Sequence, residues 1–261
     1  MIESTQNKIA KKITSLKQRK EREKQKLFVA EGTKFVSEIP KDWKIDLFAV
    51  SHSFALENDI SFYQNRANTF VVSDTIFRSM SDTQTPQGIL AVCFQKQYDM
   101  DTLLEKNRKN GFYILAEKLN DPGNLGTIIR TADAGGVQAI FLSEESVDIY
   151  NPKVLRSTMG SIFHLPIFQN VALKNIIEKL HKYHVTVSAA HLKGKQYPYM
   201  LDLKQPCAFL IGNEANGLSK NTADLCDIYV KLPMIGQAES LNASVAAGIL
   251  IYETVRQRII L

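Results

Sequence analysis

The stretch FYILAEKLNDPGNLGTIIRTADAGGVQAIFL, residues 112–142, decides the fold class. Phe112 to Ala116 is an unbroken apolar run and reads as a strand. Pro122-Gly123 is a turn signal, and Asn124 to Ala134 carries small and apolar residues at helical spacing. Val137 to Leu142 predicts a second strand. Strand, turn, helix and strand within about 30 residues make a βαβ unit, whose strands lie parallel.

The alternation continues toward the C-terminus. Leu173 to Tyr183 and Leu241 to Arg258 read as helices, and Val185–Ala189, Ala208–Ile211 and Ile228–Leu232 as strands. That order predicts an α/β fold on a mostly parallel sheet. Upstream the pattern is a smaller α/β mixture. Phe28–Ala30, Leu47–Val50, Phe70–Val72 and Ile89–Phe94 are short apolar runs, Gly32–Ile39 is helical, and residues 79–88 are turn-rich. Between them, Gln95 to Gly111 is polar and charged. We therefore expect a first domain over 1–97, a linker or short joining helix over 98–110, and a second domain over 111–261.

A length of 261 residues suits one large domain or two small ones, and 44% apolar residues suffice for a sizeable core. The net charge of +5 is uneven: residues 1–30 hold nine Lys/Arg and three Glu, leaving a near-neutral remainder. Within that basic arm Ile9, Ile13 and Leu16 form one apolar stripe of a helix. The arm is either a helix packed on the body by the stripe or a surface that neutralises phosphates, and one helix can do both.

The longest uncharged apolar run, Leu241 to Tyr252, is shorter than the roughly 20 residues of a membrane span. The N-terminus has no apolar signal segment. Cys93, Cys207 and Cys226 form no CxxC pair, and the scattered histidines show no zinc-ligand spacing, so no metal is expected. The expectation is a reduced, soluble, cytoplasmic protein with no membrane partner.

Three segments gather glycines and polar residues where strands end, the place where open α/β sheets bind ligands. Asn120 to Arg130 runs from a strand through Pro122-Gly123 into a helix whose first N–H groups suit an anion. Leu210 to Ser219 holds Gly212, Glu214 and Gly217, with Ser219 placed to cap a helix. Leu232 to Gly248 ends a strand and opens a helix with Ser240 and Asn242, both capping types, followed by small residues that permit close approach. Neither GxxxxGK[ST] nor GxGxxG is present, which removes the P-loop and the ordinary dinucleotide fingerprint.

In this order the segments resemble the three motifs of the SpoU (TrmH-like) class of the SPOUT superfamily, the RNA 2′-O-ribose methyltransferases. The likeness is carried by DPGNLGTIIRTADAGG (121–136), LIGNEANGLS (210–219) and LPMIGQAESLNASVAAGILIYE (232–253), with NPKVLRSTMGSIFHLPI (151–167) similar as well. It covers 111–261, and three long motifs in order are far more specific than any one alone. LFVAEGTKFVSEI (27–39) and TPQGILAVC (85–93) resemble the small α/β substrate-binding domain that precedes many such enzymes.

The resemblance implies a C-terminal third threaded into a deep trefoil knot that forms an S-adenosylmethionine pocket. It implies cofactor contacts at Ile211, Gly212, Asn213, Gly217, Leu232, Met234, Ile235 and Leu241. It implies Arg130 at the reacting hydroxyl, as general base or as a charge stabiliser, with Asn124 orienting the Arg or the ribose. Glu214, Ser240 and Asn242 would order the pocket. A homodimer is implied too; the small-residue face Ala243, Ala246, Ala247 fits such packing, and an intramolecular contact explains it equally well. The partner would be RNA rather than DNA, ribosomal in preference to transfer RNA. A non-enzymatic RNA-binding assembly factor on the same fold is the alternative. Base methylation is disfavoured, since no motif holds a cysteine nucleophile.

Overall fold

The computed structural model describes residues 1–259, so the last two positions of the expected second domain lie outside the described residues. The chain divides into two compact units, one of residues 1–97 and 150–163, the other of 98–149 and 164–261.

The first unit contains α1 (Lys8–Ser15), α2 (Arg19–Gln25), β1 (Leu27–Glu31), α3 (Thr33–Ser37), β2 (Ile45–Ser51), α4 (His52–Glu57), α5 (Ser61–Arg66), β3 (Thr69–Val72), α6 (Asp74–Met80) and β4 (Ile89–Phe94). Its sheet runs β1-β4-β2-β3, with β4 antiparallel to both neighbours and β2 parallel to β3. Period-two alternation sends Leu27, Leu47, Ala49, Leu90 and Val92 to one face. There they meet Ala10, Ile13 and Leu16 of the basic arm together with Ile76, Phe77 and Met80 of α6.

The arm is therefore part of a core. Ile2 pairs with Val72, Arg22 is buried and donates to the carbonyls of Leu16 and Lys17 at the end of α1, and Lys12 pairs with Asp46 at 2.9 Å. Lys17 donates to the carbonyls of Ser79 and Ser81. A cation at a helix C-terminus faces the negative end of the dipole. These three cations are spent on folding, whereas Lys8, Lys11, Lys20 and Lys24 are exposed.

The segment 150–163, interposed in the second domain's sequence, packs in this first unit. It carries α9 (Pro152–Thr158), and its Phe163 lies 5.0 Å from Trp43 and 5.3 Å from Phe35, while Tyr150 stacks on Phe28 at 4.5 Å.

The second unit contains α7 (Met100–Lys106), β5 (Phe112–Ala116), α8 (Pro122–Ala134), β6 (Ala139–Ser143), β7 (Ile167–Val171), α10 (Leu173–Lys182), β8 (Thr186–Ala190), β9 (Cys207–Ile211), α11 (Lys220–Ala223), β10 (Ile228–Val230) and α12 (Ala243–Arg258). Its sheet is parallel throughout, in the order β10-β8-β9-β5-β6-β7. β5, β6 and β9 are buried at every residue, as strands covered on both faces must be. α10 packs one face through Leu173, Ile176, Ile177 and Leu180. Helices α8 and α12 pack together, and α12 also contacts β9.

The stretch expected as a linker holds α7, whose Leu104 is buried in the second unit's core. Amphipathic Met100, Leu103 and Leu104 outweigh the surrounding charges. β7 gives no strand signal in the sequence: an edge strand with half-buried Gln169 and exposed Asn170 has no continuous apolar run. Among the described residues no helix is long and apolar enough to cross a membrane.

Candidate active site at the carboxyl edge of the sheet

β5, β9 and β10 end together, and the loops that follow carry the three motif segments. Asp121 caps α8 by accepting from the Asn124 backbone N–H at 2.7 Å, and Pro122 occupies the first turn, where its missing donor costs nothing. Asn242 caps α12, accepting from the N–H groups of Ser244 at 2.8 Å and Val245 at 3.3 Å. Ser240, the other capping candidate, does not cap that helix.

The two caps are joined through Glu214. Its carboxylate accepts from the N–H groups of Asn120 at 3.3 Å and Asp121 at 3.1 Å, and from Asn124 Nδ2 at 3.1 Å. Asn242 Nδ2 in turn donates to Asn124 Oδ1 at 2.8 Å. One continuous chain of hydrogen bonds thus ties residues from all three motif segments. Desolvation pushes the Glu214 pKa up, but hydrogen bonds from Asn124 and from the backbone N–H groups of Glu214, Asp121 and Asn120 outweigh it. The carboxyl is held below its ordinary value.

The loop after β9 closes on itself. Asn213 and Gly217 exchange backbone hydrogen bonds at 3.0 and 2.9 Å, and Asn213 Oδ1 accepts from the N–H groups of Ala215 and Asn216. Asn213 Nδ2 anchors the loop to the Lys118 carbonyl at 2.7 Å. Gly217 sits at φ +66°, and a Cβ on Gly212 would lie 2.5 Å from the Gly217 carbonyl carbon, so both positions require glycine's freedom.

Beside this loop lies a cavity of about 340 Å³. Ile211, Gly212, Asn213 and Gly217 form one wall, Leu232, Met234, Ser240 and Leu241 another, with Glu214 also in the lining. Ile235 does not line it: its side chain is 97% exposed. Asn124, Arg130 and Asn242 stand outside the lining. Asn124 and Asn242 bond to each other, and Arg130 lies six residues further along α8, about one and two-thirds turns. Arg130 is exposed and makes no hydrogen bond or ion pair among the described residues.

Two groups escaped the sequence reading. Ala190, His191 and Leu192, at the end of β8 and just after it, form a third wall, and nothing in their residue types announces it. Glu117, buried at the end of β5, accepts from the Ser219 N–H at 2.8 Å, Ser219 Oγ at 2.7 Å and Thr222 Oγ1 at 2.6 Å. An acid directly after an all-apolar strand was the available signal, since a buried carboxylate needs partners.

A volume of this size with apolar walls and a few convergent polar groups fits a nucleoside-sized ligand. Leu232, Met234 and Leu241 offer dispersion to a ring's faces, and the exposed loop backbone offers hydrogen bonds to its edge. None of the three cysteines lines the cavity. Burial pushes the Cys207 thiol up to about 11 and Cys226 to about 12, and raises Cys93 as well.

Residues 111–252 match the model of the SpoU rRNA Methylase family, and residues 7–91 match that of an MRM3-like substrate binding domain. The 23S rRNA (guanosine(2553)-2′-O)-methyltransferase RlmP of Bacillus subtilis is 34% identical over 252 residues, 96% of this chain and 97% of that protein. The crystal structure of an rRNA methyltransferase from Sinorhizobium meliloti superposes with a TM-score of 0.86 at 31% identity, covering 98% of this chain and 96% of that one. The SpoU methyltransferase AviRb from Streptomyces viridochromogenes, solved in complex with AdoMet, gives 0.85 at 26% identity, covering 97% and 98%.

Proposed function

The chain belongs to the SpoU rRNA methylase family, and on that premise we propose that it transfers a methyl group from S-adenosylmethionine to a ribose 2′-hydroxyl of ribosomal RNA. The observation that carries the reading is the Glu214–Asn124–Asn242 chain. It fixes the loops around a nucleoside-sized cavity and leaves the Arg130 guanidinium unpaired on the same helix.

Bound in the cavity, S-adenosylmethionine supplies an already activated methyl on a sulfonium. The protein's task is to orient the hydroxyl toward it, exclude water and manage the hydroxyl's proton. Glu214 and Asn213 lock the loop that forms one cavity wall. Asn124, held by Glu214 and Asn242, fixes the start of α8. The Arg130 guanidinium presents only N–H donors. It donates hydrogen bonds to the phosphate beside the target ribose and to the oxygen as negative charge develops. Base methylation through a cysteine nucleophile lacks a thiol in the cavity.

The family likeness of residues 7–91 to a substrate-binding domain supports RNA recognition by the first unit. In this reading the enzyme works in the cytoplasm as a homodimer. Val245, Ile249 and Tyr252, exposed at 49%, 43% and 52%, form an apolar stripe along α12, and apolar side chains grouped in solvent on one helix face suit a partner. A second copy of the chain would cover it.

The test is transfer of radiolabelled methyl from S-adenosylmethionine to ribosomal RNA, followed by digestion to nucleosides. The expected product is a 2′-O-methylnucleoside, and Arg130→Ala abolishes turnover while cofactor binding survives. Near-wild-type turnover in that variant refutes the mechanism. Absence of S-adenosylmethionine binding in calorimetry selects the assembly-factor alternative.

A further inference from the structure

We infer that the loop between β8 and β9 is a second RNA-binding element. Lys193 and Lys195 hold phosphates of the strand flanking the target nucleotide, and Tyr199 stacks an unpaired base. The inference rests on the methyltransferase reading and adds to it a named surface for the substrate.

The sequence of this loop is HLKGKQYPYM, residues 191–200, in which two cations, Lys193 and Lys195, are followed by two aromatics, Tyr197 and Tyr199. Positive groups that track a backbone, combined with rings that stack bases, are how proteins hold single-stranded nucleic acid without reading its sequence. Lys193 and Lys195 are exposed, and neither forms an ion pair among the described residues. Tyr199 is 59% exposed, and its ring lies 5.4 Å from that of Tyr197 at an interplanar angle of 14°. Tyr197 therefore backs one face of Tyr199 and fixes its orientation, while the exposure of Tyr199 leaves ring surface for a base. A solitary exposed tyrosine needs no partner; a tyrosine already stacked and held out in solvent resembles a platform.

The loop is also preorganised. The His191 N–H donates to the Val230 carbonyl at 2.9 Å, and the Lys231 N–H donates to the Gln196 carbonyl at 2.8 Å, which pins the loop along β10. The Met200 N–H donates to the Tyr197 carbonyl at 2.9 Å and closes the turn that carries Tyr199. An element ordered in advance pays less entropy when it binds.

Position selects the partner. His191 and Leu192 line the cavity, so the loop leaves directly from the rim at which a target nucleotide must arrive. Elsewhere the lining carries Glu214 and Glu239, which repel phosphates. The strand flanking the target is thereby steered to the lysine-bearing rim.

The experiment compares wild type, Lys193→Gln/Lys195→Gln and Tyr199→Ala in the full-length protein. Binding of a short fluorescein-labelled single-stranded RNA of mixed sequence is followed by anisotropy across a salt series. S-adenosylmethionine affinity and sedimentation velocity are measured on the same preparations. Tyr199→Ala is expected to weaken RNA binding about tenfold, as loss of one stacked base does. The double lysine variant is expected to flatten the slope of log K against log salt by about 1.4, two phosphates at roughly 0.7 each for single strands. Cofactor affinity stays at the wild-type value in both. Unchanged RNA affinity and salt slope in the lysine variant, whose exposed side chains do not bear on folding, overturn the inference. So does a Tyr199→Ala variant that changes the sedimentation coefficient without weakening RNA binding, because the ring would then belong to an interface between copies. Failure of the underlying reading looks different: wild type itself then transfers no methyl group to RNA.

Discussion

Replacing Gly212 by Ala tests whether the closed loop after β9 is the wall that holds the cofactor. A methyl at Gly212 would sit 2.5 Å from the Gly217 carbonyl carbon, 2.6 Å from Leu218 N and 2.8 Å from the Gly217 oxygen. All three are backbone atoms, so no side chain can swing away. The loop must open, and the Asn213–Gly217 exchange at 3.0 and 2.9 Å weakens with it. Overpacking of this kind costs about 1–3 kcal/mol. If that cost falls on the binding-competent loop, S-adenosylmethionine affinity drops about 5- to 150-fold. Gly217→Ala provides the control, because nothing lies within 4 Å of its added Cβ and only the left-handed backbone at φ +66° is penalised. That penalty is about 1 kcal/mol, or roughly fivefold. Calorimetric titration should therefore rank the dissociation constants Gly212→Ala, then Gly217→Ala, then wild type, with far-ultraviolet circular dichroism unchanged. A Gly212→Ala variant that binds the cofactor as wild type does would refute the assignment of this loop.

Phe163→Ala, which empties a site packed against Trp43, Phe35 and Phe28, should destabilise the first unit by about 3–5 kcal/mol in urea unfolding while cofactor affinity holds. An unchanged midpoint would contradict the packing role of segment 150–163. Val245→Asp, on the exposed stripe of α12, should convert the proposed dimer to a monomer in light scattering, and an unchanged mass would free that face for another explanation. Glu214 has a folded-state pKa below its ordinary value of 4.5, so its stabilisation is complete above that value and lost as pH falls through the lowered one. Cofactor binding should be flat through neutral pH with an acid limb below that value, and Glu214→Gln should remove the limb. Deletion of residues 1–26 takes away Ala10, Ile13 and Leu16 and should lower the melting temperature of the first unit, beyond any effect on RNA; a truncated chain with the wild-type melting curve would return the arm to the status of a surface helix.

The second unit was legible because its strands are covered on both faces and therefore read as uninterrupted apolar runs, as in Phe112–Ala116 and Cys207–Ile211. Edge strand β7 escaped for the converse reason. The short helices α4 and α6 are set by single caps, Ser51 accepting from the Phe54 N–H and Ser73 from the Ile76 N–H, too local to stand out in a polar sequence. The site residues came from motif likeness, and the contacts that give them meaning join Asn124 to Glu214 and Asn242 across long separations that spacing cannot anticipate. Glu117 is the instructive omission, since its position after a buried strand was visible and its partners were not. The basic arm shows how composition misleads: Lys12, Lys17 and Arg22 raise the local charge, yet an ion pair and helix-end carbonyls occupy them.

Methylation of a ribose hydroxyl in ribosomal RNA is tested most directly by a map of 2′-O-methylation across total RNA from cells with and without this gene. The account predicts that at least one ribose methyl group disappears from ribosomal RNA in the deletion strain and returns with the wild-type gene but not with Arg130→Ala. A complete map that is identical in the two strains, or a lost mark that proves to be a base methyl, would contradict it.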